Sequence, residues 1–401
     1  MNFLDEAQKI KDAIVADRRY FHINAEVDFD LALTISYVKS RLAEMGYETK
    51  DTGGGVVALA GGKKPGKVFL LRADMDALPI VEETDLPYKS TNGNMHACGH
   101  DLHTAMLLGA ASILKKHENE IEGTVKLMFQ PAEETLVGAK AMIDAGLLEN
   151  PRVDAGMMIH VTAGTGLPVK TGQLLVPEDG IGYASADWFR IDVQGKGGHG
   201  ASPSKGIDPL NVLAHIFIAL QAINAREVKA SESCVLTIGE MHGGNTSNVI
   251  PDTAYMSGTI RTFDAETRDF IKQRLVEISK NTAEVFRAAA SVSFPRECPM
   301  VVNNGALAAE LGGYAKEILG QENVVMKADI NMSRSAGTED FAYICENIPA
   351  ASFGMGAAAN EYGAHHPKTA YDENALPAGA AVYAYAAFRW LRNNKSCSCM
   401  V

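Results

Sequence analysis

The chain has 401 residues, with 37 Lys plus Arg against 49 Asp plus Glu, a net charge of −12, 46% hydrophobic and 21% charged residues. That length suggests two domains, and that composition reads as soluble and globular. An acidic chain without a basic run is a poor partner for a phosphate backbone, and no apolar run approaches the roughly 18 residues of a membrane span, so neither nucleic acid nor membrane is expected.

The opening "MNFLDEAQKIKDAIVADRRY" alternates charge with apolar residues at helical spacing and has no basic region followed by an apolar one, so no signal peptide is expected. Residues 4–20 and 31–46 read as helices, and "GGGVVALAGG" and "KVFLLRADMDALP" as strands, with Val68–Leu71 a short apolar run ending in charge. "LHTAMLLGAASILKKH" is a helix with a basic last turn. "GTVKLMFQPAEE" reads as a strand running into Pro131 and a helix, because proline suits a first helical turn. "DAGMMIHV" and "AASFGMG" are further short buried strands. Strands alternating with helices predict an α/β sheet covered on both faces.

The stretch from about residue 184 to 297 reads differently: strand, glycine turn, helix Asp208–Ala225, two strands, a long helix, and a last strand. That βαββαβ order predicts a ferredoxin-like open sandwich inserted in the α/β domain. The six cysteines, at 98, 234, 298, 345, 397 and 399, are scattered, which argues against a disulfide framework and for a reducing, cytoplasmic location. The tail "SCSCMV" has no cysteine fourth from the end, so it is no prenylation box and reads as frayed.

The stretch "NGNMHACGHDLHTAML" places His96, Cys98, His100, Asp101 and His103 together. Alone it is a short pattern with many false matches. Four strands, however, end in metal-type side chains: Asp74 and Asp76 after Val68–Leu71, Glu133 and Glu134 after the next strand, His160 on "MMIH", and His365 and His366 after "AASFGMG". Each has a bland reading as a solvated helix start, a core histidine, a surface pair or a turn cap. Jointly those readings leave several polar groups at one sheet edge without a purpose, whereas open α/β sheets bind ligands at the carboxyl ends of their strands. Cys98, His100, Glu134, His160 and His365 exceed the three protein ligands of one catalytic zinc, and suit two divalent ions bridged by one of them. Sulfur, nitrogen and carboxylate donors admit zinc, cobalt, nickel or manganese. His96 and His103 are read as lying outside the ligand set, His103 as core or as support for a ligand. Glu133, beside the ligand Glu134, can take a proton from a water whose pKa a metal lowers toward about 7, and pass it to a leaving amine.

"RADMDALP", "MHACGHD", "QPAEE", "IH" at 159–160, "GKGGHGASP", "GIDPL", "NVIPD", "GTIRTF", "GTEDFA" and "HHPKTAYDE", in this order over residues 10 to 392, resemble the metal-dependent amidohydrolases that include hippurate hydrolase, indole-acetyl-amino-acid hydrolases, aminoacylases and related carboxypeptidases. The resemblance implies a mixed-sheet dimetal peptidase-like catalytic domain in two parts, 1–183 and 298–401, with a ferredoxin-like dimerisation or lid domain at 184–297. It implies Cys98, His100, Glu134, His160 and His365 as dimetal ligands and Glu133 as general base. It implies that His199 helps to polarise the scissile carbonyl, usually across a homodimer, and that Asn248 and Arg261 lie near the substrate carboxylate. Zinc exopeptidases of the clan carry His-x-Asp where this chain has Arg72-Ala73-Asp74; the Cys98/His100 pair marks the cysteine-ligand branch, and Asp74 becomes a group that orients a ligand.

The chain departs from the family's usual residues at Ala25, Asp30 and His366, and "VTAGTGLP" after His160 replaces the usual Val-x-Pro run near the expected pocket. None of these removes a ligand, and the choice of His365 over His366 rests on the spacing to Asp372-Glu373. The expected activity is hydrolysis of an N-acyl amino acid or a similar carboxylate-bearing amide. The alternatives are a dipeptidase or aminopeptidase of the same clan and a metal-dependent binding protein without catalysis, against which the intact Glu133 speaks.

Overall fold

The structure is a computed structural model, and it describes residues 2–164, 168–330 and 334–395. The tail "SCSCMV", with Cys397 and Cys399, and residues 165–167 of "VTAGTGLP" lie outside the described residues. The chain divides into two compact units, one of residues 1–182, 301–333 and 340–401, the other of 183–300 and 334–339.

In the first unit, eight strands among the described residues form one mixed sheet in the order Thr49–Thr52, Gly55–Gly61, Thr124–Gln130, Val68–Asp74, Ala155–Thr162, Ala350–Gly356, Leu174–Val176, Val324–Met326. The four central strands, from Thr124–Gln130 to Ala350–Gly356, are mutually parallel, so their carboxyl ends share one edge. Parallel strands are buried on both faces, and alternation sends each residue to one of two cores. Phe69, Leu71 and Ala73 join the larger core, while Val68 and Leu70 join the other with Met128 and Met158. Lys126 falls on a buried strand position, and its ammonium is satisfied by the carbonyls of Leu147, Glu149 and Pro151 at 2.7, 3.0 and 2.7 Å.

The helix His100–Lys116 is buried along nearly its whole length, packed between Lys11–Ile23 and the alanine-rich Leu376–Asn393. Glycines allow that closeness: a Cβ on Gly109 would meet Ile14 and Ala380 at 2.7 and 2.9 Å, and one on Gly379 would lie 1.9 Å from Met106 Sδ.

Three local readings need correction. The helix expected over 4–20 is two, Phe3–Lys9 and Lys11–Ile23, broken at Ile10, whose ψ of 11° leaves the helical well. The strand expected to end at Leu71 runs on to Asp74, because Arg72 and Asp74 find buried partners. Pro131 does not start a helix: Ala132 and Leu136 have φ of 54° and 59°, which forces a turn, and the helix begins at Gly138.

In the second unit, Cys234–Gly243, Thr253–Thr262, Ser185–Gln194 and Ala289–Cys298 form an antiparallel sheet in that order. Numbered along the chain this is 2-3-1-4, and with the helices Pro209–Ala222 and Ala265–Val285 it makes the βαββαβ sandwich. Both helices start on aspartate caps, Asp208 accepting from Leu210 N at 2.9 Å and Asp264 from Thr267 N at 2.7 Å.

Candidate metal centre

The shared edge of the four parallel strands collects the donors. Ligand atoms of Cys98, His100 and His160 lie within 4.8 Å of one another, as do those of Cys98, Glu134 and His365, and those of His100, Glu133 and Glu134. Cys98 Sγ is 3.5 Å from His160 Nε2, and His365 Nε2 is 3.5 Å from Glu134 Oε1. His100 Nε2 lies 3.8 Å from Glu133 and 3.9 Å from Glu134.

Local backbone brings these side chains to one place. Gly99, at φ +88°, turns the chain so that Cys98 and His100 both face the edge, and a Cβ there would stand 2.4 Å from Val161. His365 also has a positive φ, 66°, and its N–H is held by the Ala97 carbonyl at 3.0 Å, which accepts the Tyr371 hydroxyl as well. His366 turns elsewhere: it stacks on Tyr362 and accepts the Lys368 N–H at 3.1 Å.

Hydrogen bonds orient the imidazoles. His100 Nδ1 donates to the Asp76 carbonyl at 2.8 Å and His160 Nδ1 to the Val161 carbonyl at 2.7 Å, which leaves each Nε2 lone pair aimed at the cluster. His103 is used at both nitrogens, donating to Asp74 at 2.6 Å and accepting the Val161 N–H at 2.8 Å. Burial lowers its pKa to about 4, so it is neutral and stands behind the cluster. His96 is also buried, and its pKa is depressed to about 3 by loss of solvent.

Two buried atoms decide whether the residues fit a metal. His100 Nε2 and Glu134 Oε1 are shielded from solvent without a hydrogen-bond partner, although both belong to residues able to bind a cation. Burying them so is costly unless a ligand takes them up. Cys98 adds a thiol: burial and the Glu134 charge push its pKa up, but His160 and His100 outweigh them and bring it down to about 6. A thiolate, three imidazoles and carboxylates fit two divalent ions.

Asp76 is the residue whose part was not legible in the chain. It is fully buried, and its carboxylate accepts the backbone N–H of both Glu133 and Glu134 at 3.0 Å each. It therefore grips the tip of the turn that carries both carboxylates. The signal was present as charged residues at 72, 74 and 76, alternating along one face of a buried strand and its continuation.

Residues 70–389 match the profile of peptidase family M20/M25/M40. The chain belongs to this family. An N-acetyl-L-cysteine deacetylase of Bacillus subtilis (strain 168) is 36% identical over 393 residues, spanning 96% of this chain and 90% of that protein. IAA-amino acid hydrolase ILR1-like 2 of Arabidopsis thaliana is 38% identical over 401 aligned positions, spanning 98% and 88%. The crystal structure of the Bacillus subtilis YXEP protein, described as a dinuclear metal binding peptidase from the M20 family, superposes with a TM-score of 0.78 at 32% identity and covers 96% of this chain and 99% of that one. As a member of the M20/M25/M40 family the chain is a metal-dependent amidohydrolase with a site for two divalent ions.

The other expected site residues of this M20/M25/M40 chain lie in the second unit. His199 is on a two-residue strand paired with Val249, exposed, with Nδ1 accepting the Ala201 N–H at 3.0 Å. Its proton is thus on Nε2. Asn248 is next to it, its carbonyl accepting the Gly200 N–H at 2.8 Å. Arg261 donates to Thr338 Oγ1 at 2.6 Å and to the Ala336 carbonyl at 3.2 Å.

Proposed function

We propose that this enzyme hydrolyses the amide bond of N-acyl amino acids, or of similar amides bearing a free carboxylate, to acid and amine. One observation carries the reading. Glu133 shares a turn with Glu134 and sits 3.8 Å from the unpartnered His100 Nε2, so a carboxylate stands beside the donors and can serve as a base. Cys98, His100, Glu134, His160 and His365 would hold the two ions. When bound, these ions polarise the scissile carbonyl and bring the pKa of a water toward about 7. Glu133 takes the proton of the attacking water and delivers it to the leaving nitrogen. Asp74, tied to His103, orients the imidazole side of the cluster.

His199 is assigned to the developing oxyanion through its Nε2–H, supplied by the partner subunit of a homodimer. Asn248 and Arg261 are assigned to the substrate carboxylate. The three roles and the homodimer rest on the family resemblance, and the tautomer of His199 agrees with a donor. A metal-free thiolate is more easily kept intact in a reducing compartment, which agrees with a cytosolic location. No helix among the described residues is long and apolar enough to cross a membrane.

The test is a substrate panel on enzyme reloaded with manganese, cobalt or zinc. N-acyl amino acids, including N-acetyl-L-cysteine and indole-acetyl amino acids, should turn over faster than free-amine dipeptides. Preference for the dipeptides would assign a dipeptidase or aminopeptidase instead, and no turnover of either with any metal would leave a binding protein.

A further inference from the structure

Below the metal-ligand cluster lies a second polar assembly, buried throughout. Arg72, 1% exposed in the middle of the sheet, donates from Nε to Gln130 at 2.8 Å, from Nη1 to Asp74 at 2.7 Å and from Nη2 to Asp340 at 3.0 Å. Asp340 is fully buried, and its two oxygens accept Gln130 Nε2 at 2.7 and 2.9 Å. One of them also accepts the backbone N–H of Ala139 at 2.9 Å. Burying an arginine and two aspartates in a sheet is costly, and apolar residues of the same size would pack there at no such cost. The assembly therefore calls for a purpose beyond stability.

Its geometry gives one. Gln130 is the last residue before the turn that carries Glu133 and Glu134, and Ala139 follows the turn at the start of the next helix. One carboxylate thus holds both ends of a stretch whose positive φ at Ala132 and Leu136 keeps it out of any regular element. Asp76 grips the tip of that turn, and Asp340 closes its base. A carboxylate oxygen of Asp340 lies within 4.8 Å of one of Glu133, so the clamp stands beside the reacting group.

We infer that Asp340 is a positioning residue that clamps the Glu133–Glu134 turn through Gln130 and Ala139, and that Arg72 holds Asp340 in place while joining it to Asp74. The inference rests on the reading of Glu133 as base and Glu134 as ligand. It needs Asp340 to touch neither metal nor substrate. Asparagine at 340 keeps the size and one acceptor but puts an NH₂ where the other oxygen accepts the Ala139 N–H.

The experiment compares wild type, Asp340→Asn, Gln130→Met and the double variant Arg72→Met/Asp340→Asn. Three quantities are measured: Mn²⁺ affinity of the metal-free protein by electron paramagnetic resonance, thermal unfolding, and kcat and KM on the best substrate of the panel. Asp340→Asn should weaken one of the two Mn²⁺ sites and lower kcat, each by about 10–100-fold, the scale on which partners of metal ligands act, with KM changed little. Gln130→Met, which alters no charge, should show the same pattern more weakly. In the double variant buried Asp74 loses the Arg72 guanidinium as well, so stability should fall at least as far as in Asp340→Asn, and Mn²⁺ affinity and kcat should stay low. If Asp340→Asn binds Mn²⁺ and turns over like wild type, or if Gln130→Met loses stability with Mn²⁺ affinity and kcat unchanged, the clamp is refuted and the assembly is structural only. Should Asp340→Asn not fold, Gln130→Met decides on the same criteria. The Mn²⁺ affinities need no substrate, so a failure of the substrate reading does not touch this result. Weakened Mn²⁺ binding in Asp340→Asn together with a normal rate in Glu133→Gln would instead fault the base assignment.

Discussion

At the scale of single residues, Glu133 and Cys98 carry the sharpest expectations. Glu133→Gln keeps the size of the side chain and can keep its neighbours, but it cannot accept a proton. Metal content and unfolding temperature should stay at wild-type values while turnover falls by at least about 10²–10⁴, the range of lost proton transfer. Near-normal turnover with both ions retained would remove Glu133 from the mechanism. Cys98 should behave in two ways. In the metal-free protein its pKa of about 6 makes it mostly thiolate at neutral pH, so alkylation should rise with pH through about 6 and be fast at 7. With metal bound, the same sulfur should be protected. Mass spectrometry of the alkylated peptide reads both, and equal labelling with and without metal would contradict ligation.

At the scale of elements, the site depends on how strands and helices end. Gly99 is the clearest case: alanine there must adopt a φ near +88° and push its Cβ into Val161. Left-handed backbone costs a non-glycine residue about 1–3 kcal/mol, and the steric conflict adds to it. Gly99→Ala should therefore lower the unfolding temperature and, by turning Cys98 away from His100, reduce bound metal below two ions per chain in elemental analysis. The N-terminal helix offers a pH test far from the site. His117, after the last turn of His100–Lys116, meets Glu6 at 2.8 Å and Glu120 at 3.1 Å and stacks on Phe3. Burial would lower its pKa, but the two glutamates raise it above the usual 6.5. A raised folded pKa means that the protonated form stabilises the fold below the unfolded value of about 6.5, and that this is lost as pH climbs through the folded pKa. His117→Gln should then cost more stability at pH 5.5 than at pH 8.5 in thermal melts. An equal cost at both would show that the ring acts only by packing.

For the whole molecule, the decisive measurement concerns the proposed homodimer. If His199 of one subunit serves the metal site of the other, His199→Ala should lower kcat by about 10²–10³, the scale of one lost oxyanion donor, with metal content unchanged. Mixed with Glu133→Gln protein, half of randomly reassorted dimers are heterodimers with one intact site of two, so about a quarter of wild-type activity should return. Verified heterodimers without recovery would exclude the arrangement in trans. An unchanged rate for His199→Ala alone would exclude the role.

What the sequence determined by itself was the local chemistry. Short buried apolar runs followed by Asp, Glu or His predict parallel strands with donors at their carboxyl ends, because a strand buried on both faces must be apolar and its end is the first place a charge can stand. The structure brings those donors into overlapping triads, each with its ligand atoms within 4.8 Å of one another. The βαββαβ pattern of the second unit was legible for the same reason: strand and helix periods differ, and aspartate caps and glycine turns mark the joints. Tertiary structure alone decided what each buried polar group is for. An aspartate after a strand reads alike whether it ligates, caps or clamps, so Asp76 and Asp340 needed their partners, Glu133, Glu134, Gln130 and Ala139, to be assigned. Pro131 reads as a helix start until the positive φ of Ala132 and Leu136 shows a turn held from two sides. Residues 334–339 join the second unit although no local pattern sets them apart. In each case the deciding partner lies far along the chain, and periodicity and spacing report only what neighbours in sequence do to one another.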